Sequence, residues 1–228
     1  MASSSVLPRT QVPPKIRSMP AEPITTTDFY LDHTEVTNLA YAEFISATSH
    51  PLPLNSFDPV GLAVWNPDGS IPVTRTDHPV VNVTWADAAA YCRWAGKRLP
   101  TEPEWERAAR GDTRRIWPWG DEWDISRANT KERGLGTTEP ADGSPGGAGP
   151  YGTLGLAGNV WEWTSSLYLP YPYEAAGRET ASGDGARVLR GGSWFDDQFG
   201  AHSSGRNSLR PILANNTVGF RCAQDVPR

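Results

Sequence analysis

The chain has 228 residues, among them 22 Gly, 21 Pro and 10 Trp; Gly and Pro together reach about 19%, against an average near 12%. So much Gly and Pro speaks against a helical bundle, no apolar run approaches the roughly 18 residues of a membrane span, and the aromatic content is too high for a disordered chain. A net charge of −5 lacks the basic footprint of a nucleic-acid binder, so neither nucleic acid nor membrane is expected as a partner.

Residues 1–27 are Ser- and Pro-rich and read as a tail or linker. They contain no apolar stretch of signal-peptide type, which makes a cytoplasmic location the expectation. Residues 28–228 read as one domain. Phe29-Tyr30-Leu31 has the pattern of a short strand. Thr37 opens a helix whose apolar face is Leu39, Tyr41, Phe44 and Ile45. Residues 49–79, rich in Pro, Asn, Asp and Gly, form a long loop. Thr84 with Asp87 makes a capping box for a helix over 85–95, with Gly96 as its stop. Thr101 with Glu104 makes a stronger one, with Pro103 in the first turn and Gly111 at the end. Beyond Gly111 only short strands are expected, at 162–164, 187–189 and 218–222. Helices first and short strands later give an α+β pattern rich in loops.

The usual catalytic signatures are absent. There is no Gly-x-Ser-x-Gly elbow and no phosphate-binding Gly-x-x-x-x-Gly-Lys-Ser/Thr loop. His33, His50, His78 and His202 are scattered without metal-ligand spacing. Cys92 and Cys222 allow at most one disulfide. Of the 21 basic residues only Lys15, Lys97 and Lys131 are lysines. Arginine suits buried bidentate pairs and stacking on aromatics, so the arginines are expected to knit the loops to carboxylates and tryptophans. Sequons stand at Asn82 and Asn215 and read as chance matches.

Several segments resemble the formylglycine-generating enzyme, or sulfatase-modifying factor, family. They include Glu35-Val36-Thr37-Asn38, His78-Pro79-Val80-Val81-Asn82-Val83-Thr84-Trp85 and Gly96-Lys97-Arg98-Leu99-Pro100-Thr101-Glu102. Pro118-Trp119-Gly120, Ala128-Asn129, Ala157-Gly158-Asn159-Val160-Trp161-Glu162-Trp163 and Arg190-Gly191-Gly192-Ser193-Trp194 follow, and Val218-Gly219-Phe220-Arg221-Cys222 closes the series. The resemblance implies a C-type-lectin-like fold of low regular structure, with the Trp, Gly and Arg motif residues as scaffold. It also implies that Cys92 and Cys222 pair as a structural disulfide or lie as neighbouring buried thiols.

The family's oxidases use two cysteines soon after the Gly-Gly-Ser-aromatic motif to bind copper(I), for which soft thiolates are the sensible ligands. The matching positions here are about Asp196 and Ala201, so the oxidase activity is not expected. The resemblance also implies two calcium sites. One would use Asn129, with Glu132 as the nearby carboxylate; the other would use Glu162 and the turn before it, where Gly155 replaces an Asp or Asn side-chain ligand. Calcium is therefore a possible cofactor through Asn129 and Glu162.

The segment after Trp194 also resembles the variable proteins of diversity-generating retroelements, which display varied residues between Gly-Gly-Ser-Trp and Gly-Phe-Arg. In residues 195–217 only Gln198 belongs to the set Glu, Lys, Gln, Met and Trp that adenine-directed mutagenesis of Asn codons does not produce. Aromatics among small polar residues suit adaptable binding surfaces. The expected ligand-binding residues are Trp194, Phe195, Asp196, Asp197, Phe199, His202, Ser204, Gly205, Asn207, Leu209, Arg210, Ile212 and Leu213. They would face a protein or cell-surface ligand. The alternatives are that the apolar members finish the core, or that the chain is a metal-dependent oxidoreductase of the family working with other residues.

Overall fold

In a computed structural model, residues 24–58, 62–180 and 183–227 are described. Most of the tail expected at 1–27 lies outside them. The described chain opens with strand β1 (Phe29–Leu31) and helix α1 (Asn38–Thr48). Helices α2 (Trp85–Trp94) and α3 (Glu102–Arg110) follow, each held at its N-terminus by a reciprocal capping box. Thr84 and Asp87 satisfy each other's backbone amides in one, Thr101 and Glu104 in the other. Among the described residues after Gly111 come only single turns, a four-residue helix α4 (Ala175–Arg178), and strands β2 (Trp161–Leu167), β3 (Arg187–Arg190), β4 (Asn207–Leu209), β5 (Val218–Gly219) and β6 (Ala223–Asp225). The α+β class holds.

Two sheets tie the chain together. β4, β3, β2 and β5 lie side by side in that order, with β5 parallel to β2 and the other pairs antiparallel. β1 pairs with β6, joining the two ends of the described chain. The sequence suggests one strand over 218–222, but the structure has two short ones. Phe220, Arg221 and Cys222 between them send their side chains into the interior, all fully buried. β4 is not legible in the sequence, because a three-residue Asn-Ser-Leu segment carries no alternation to detect.

The main core collects Tyr41, Phe44, Trp65, Val83, Tyr91, Cys92, Trp163, Leu189 and Phe220. Cys92 on α2 is joined to Cys222 by a disulfide across 130 positions of sequence, which locks α2 to the chain's closing segment. A smaller cluster puts Trp105 and Leu156 against α3.

The arginines do what their composition suggests. Arg221 meets Glu162 through two 2.7 Å bonds, Arg206 grips Glu102, and Arg190 reaches Glu106. Arg187 lies 4.2 Å from the Trp85 ring centre. Fixed forks of this kind hold loops that few ladder bonds hold. Asn82 donates to Leu62 and accepts from Asn55 inside the protein, so that sequon is buried. No helix among the described residues is long and apolar enough to cross a membrane.

Candidate functional site

The Gly191-Gly192-Ser193-Trp194 turn leaves β3 and delivers the segment 195–213. Gly192 has φ +79°, and a Cβ there would lie 2.9 Å from the Ala201 Cα and from the Gly200 carbonyl oxygen. Only glycine permits that close approach, which folds the segment back on its own start. Ser193 is fully buried, and its Oγ donates to the Asp196 carboxylate at 2.5 Å. Trp161 Nε1, from β2, donates to the same oxygen at 2.8 Å. Asp196 is thereby fixed by two neutral donors. The next turn is held by Asp197, whose Oδ1 accepts from the amides of Phe199 and Gly200.

Ala201 sits in a different environment. It is fully buried among Ala128 and Ala157, with Trp119 and Trp123 packed alongside. His202 lies edge-on to Trp117 at 5.1 Å and near Phe199 at 6.0 Å. Burial holds its imidazole below the usual histidine value, with Asp197 opposing. Trp117 donates to the Gln198 carbonyl, and the Ser203 amide donates to Ile116. The Ile116–Trp123 stretch is thus a second wall of this region. Trp119 lies in a scaffold motif of the sequence, whereas Trp117 and Trp123 stand outside the motifs and are marked only by their spacing with Trp119.

The expected binding residues separate into three groups. Phe195 is 69% exposed, Ile212 64% and Phe199 40%; no interior contact explains these side chains. Trp194 is half-buried, packs against Phe195, and donates to the Asn216 carbonyl. It borders a cleft of about 330 Å³ whose lining includes Leu62, Val64, Arg75 and Thr138. Asn207 and Arg210 are exposed, while Ser204 and Leu213 are half-buried. Two residues face inward instead, one buried and one half-buried. Gly205 is buried and offers its carbonyl to Arg190. Leu209 pairs with Arg187 in the sheet and packs on the main core, because β4 turns that side of the segment inward.

Neither place carries the full calcium ligand set that the resemblance implies, although Glu35 Oε2 beside Gly155 and Asn129 Oδ1 are both buried without a hydrogen-bond partner. Both oxygens of Glu162 are committed, to the Arg221 fork and to Trp105 Nε1 at 2.9 Å. Gly155 offers no side chain, and the space for one is filled by Glu35. At the other place the Asn129 Oδ1 is buried and has no hydrogen-bond partner, which would suit a ligand. The carboxylates that should accompany it are engaged elsewhere, however. Glu132 accepts from the Gln198 amide, and Glu139 is held by Arg133 and Ser144. A hard divalent cation needs several oxygen donors, carboxylates among them. Among the described residues no group of three or more His, Cys, Asp or Glu could hold a metal. The orphaned Asn129 oxygen suits a buried water.

The family model for the sulfatase-modifying factor enzyme 1-like domain matches residues 5–226. The chain belongs to this formylglycine-generating enzyme family. It is 37% identical to a formylglycine-generating enzyme of Streptomyces coelicolor, over 91% of this chain and 81% of that one. It is 32% identical to an inactive Cα-formylglycine-generating enzyme 2 of Mus musculus, over 92% and 79%. The fold is shared with Treponema denticola variable protein 1, with a TM-score of 0.66 at 23% identity, covering 86% of this chain and 84% of that one. The family thus includes both catalysts and relatives described as inactive. The positions that the resemblance matches to the oxidase cysteines, about 196 and 201, hold a hydrogen-bonded carboxylate, Asp196, and a buried methyl, Ala201.

Proposed function

We propose that this member of the family is a non-catalytic binding protein, with residues 28–228 acting as one C-type-lectin-like domain. Its binding surface is built from the exposed side chains after the Gly-Gly-Ser-Trp turn. One observation carries the reading: the backbone of this segment is anchored while its outward side chains anchor nothing. The carbonyls of Ser203 and Gly205 are held by Arg190. The turns at 193–200 are held by Ser193, Asp196 and Asp197. Phe195, Phe199 and Ile212 remain free to contact a partner. Rigid aromatic and aliphatic anchors on a fixed loop bind at low entropic cost.

The exposed aromatic and aliphatic side chains at 195, 199 and 212 suit a protein or cell-surface ligand. The absence of thiols at 196 and 201 removes the soft ligands that copper(I) chemistry needs, and Ser193 Oγ donates to a carboxylate with no histidine bonded to it. The disulfide at Cys92 argues for an oxidising compartment rather than the cytoplasmic one suggested by the sequence.

Two measurements test the proposal. Incubation with a cysteine-containing sulfatase peptide, copper(I) and oxygen should yield no formylglycine by mass spectrometry. A photo-crosslinking amino acid at Phe195, Phe199 or Ile212 should give a discrete adduct in the producing cell or with its neighbours, and none at Leu39 on α1. Formylglycine in the peptide, or stoichiometric copper or iron in the purified protein, would overturn the reading in favour of a metal-dependent oxidoreductase.

A further inference from the structure

We infer that the cleft beside Trp194 is a binding site for a small organic acid with one carboxylate on an apolar body. At about 330 Å³ the cleft lies at the lower end of the size of small-molecule sites. Its apolar walls come from distant parts of the sequence: Leu62 and Val64 from the loop after α1, Val81 from the run into α2, and Trp194 from the Gly-Gly-Ser-Trp turn. Val81 is buried, and the Trp194 ring is fixed by the bond from its Nε1 to the Asn216 carbonyl. Among the described residues lining the cleft, Arg75 is the one that carries charge.

Arg75 is held in place but not neutralised. Its Nη1 lies 3.2 Å from His78 Nδ1 and donates to the Thr138 hydroxyl at 3.3 Å and carbonyl at 3.4 Å. A guanidinium nitrogen can only donate, so His78 Nδ1 is the acceptor and the imidazole is neutral. Burial, and then Arg75 itself, hold His78 below the usual histidine value. The backbone is pinned as well, since the Arg75 carbonyl accepts from Asn38 Nδ2. All these partners are uncharged. Among the described residues no carboxylate pairs with Arg75, and its Nε and Nη2 make no hydrogen bond. Elsewhere in the fold Arg190, Arg206 and Arg221 are each met by a carboxylate. Arg75 therefore brings to the cleft a full positive charge and two unused donor nitrogens.

A carboxylate is the group these features recognise. It accepts from a guanidinium in a charge-assisted bond, stronger than a neutral one. One guanidinium balances one negative charge, which selects a monocarboxylate over a phosphate. Asn216, half-buried on the same wall, adds an amide side chain. An apolar body beside the carboxylate would leave water for Val64, Val81 and the Trp194 ring. The site is separate from the exposed side chains at 195, 199 and 212, and stands whether or not those meet a partner.

The test is isothermal titration of the full chain with three probes: phenylacetate, its neutral analogue phenylacetamide, and acetate. Phenylacetate should bind one per chain, at least about tenfold tighter than either of the others, because the amide lacks the bond to a charged group and acetate lacks the ring. Arg75→Met should reduce phenylacetate to the affinity of the amide and leave the amide unchanged. Leu62→Trp, which narrows the cleft and leaves the Arg75 bonds alone, should weaken both, and it decides the matter where Arg75→Met does not fold. No saturable binding of phenylacetate, equal affinity for phenylacetate and phenylacetamide, or full affinity in either folded variant would overturn the inference. Acetate binding as tightly as phenylacetate would overturn it too, by removing the role of the apolar walls.

Discussion

The scaffold around β2 and β3 and the segment 195–213 are built on opposite plans. In the scaffold, side chains hold the backbone: Arg221, Arg190 and Trp105 are fully buried and bonded to carboxylates on other elements. In the segment, the anchoring is done by a few short side chains and by backbone carbonyls offered to Arg190. Its large side chains at 195, 199 and 212 stand in solvent. The difference teaches where identity is constrained. Replacing a scaffold residue strands a buried partner, whereas replacing an outward residue of the segment changes the surface and leaves the fold alone.

The sharpest way to break that comparison is Arg221→Met, which leaves Glu162 without its fork. Removing one partner of a buried pair costs about 3–5 kcal/mol, readable as a lower urea midpoint; a loss under about 1 kcal/mol would place this pair with ordinary surface pairs. Cys92→Ser comes next. Opening a loop of this length should cost about 2–5 kcal/mol, and the same variant should show whether reduction and mutation give equal losses of Tm. Ala201→Cys probes the boundary between the regions. Ala201 is enclosed by Ala128, Ala157 and the Gly192 turn, so a larger side chain should cost about 1–3 kcal/mol through overpacking. A neutral outcome would show that the segment is looser than its burial suggests. Phe195→Ala and Ile212→Ala should have the smallest effect on unfolding, within about 0.5 kcal/mol. Against the crosslinked partner the same variants should weaken binding by about tenfold or more, the loss of a buried anchor. Unchanged affinity in both would move the binding surface elsewhere.

The two capping boxes and the Gly-Gly turn were readable because each is a local pattern with a local cause: a Thr oxygen three residues before a carboxylate, a glycine where a side chain has no room. The shared family and fold were readable for a related reason, since the motif residues are the ones that form the interior forks and stacks. The burial of Gly205 and the inward packing of Leu209 were not legible, because nothing local marks which side of a short, polar segment faces the core. Glu162 was open to a metal role until Arg221, 59 positions away, was seen to cover it.

The sequence alone thus determined the family, the α+β class, the helix boundaries and the lack of thiols at 196 and 201. All of these depend on residue type or on spacing within a few positions. Only the tertiary structure decided which residues after Trp194 point outward, that Glu35 fills the space left by Gly155, and that Glu162 belongs to Arg221. Those facts depend on the meeting of segments up to 186 positions apart (Glu35 and Arg221), and burial and charge balance at such meetings are properties of the packed chain, not of any stretch of it.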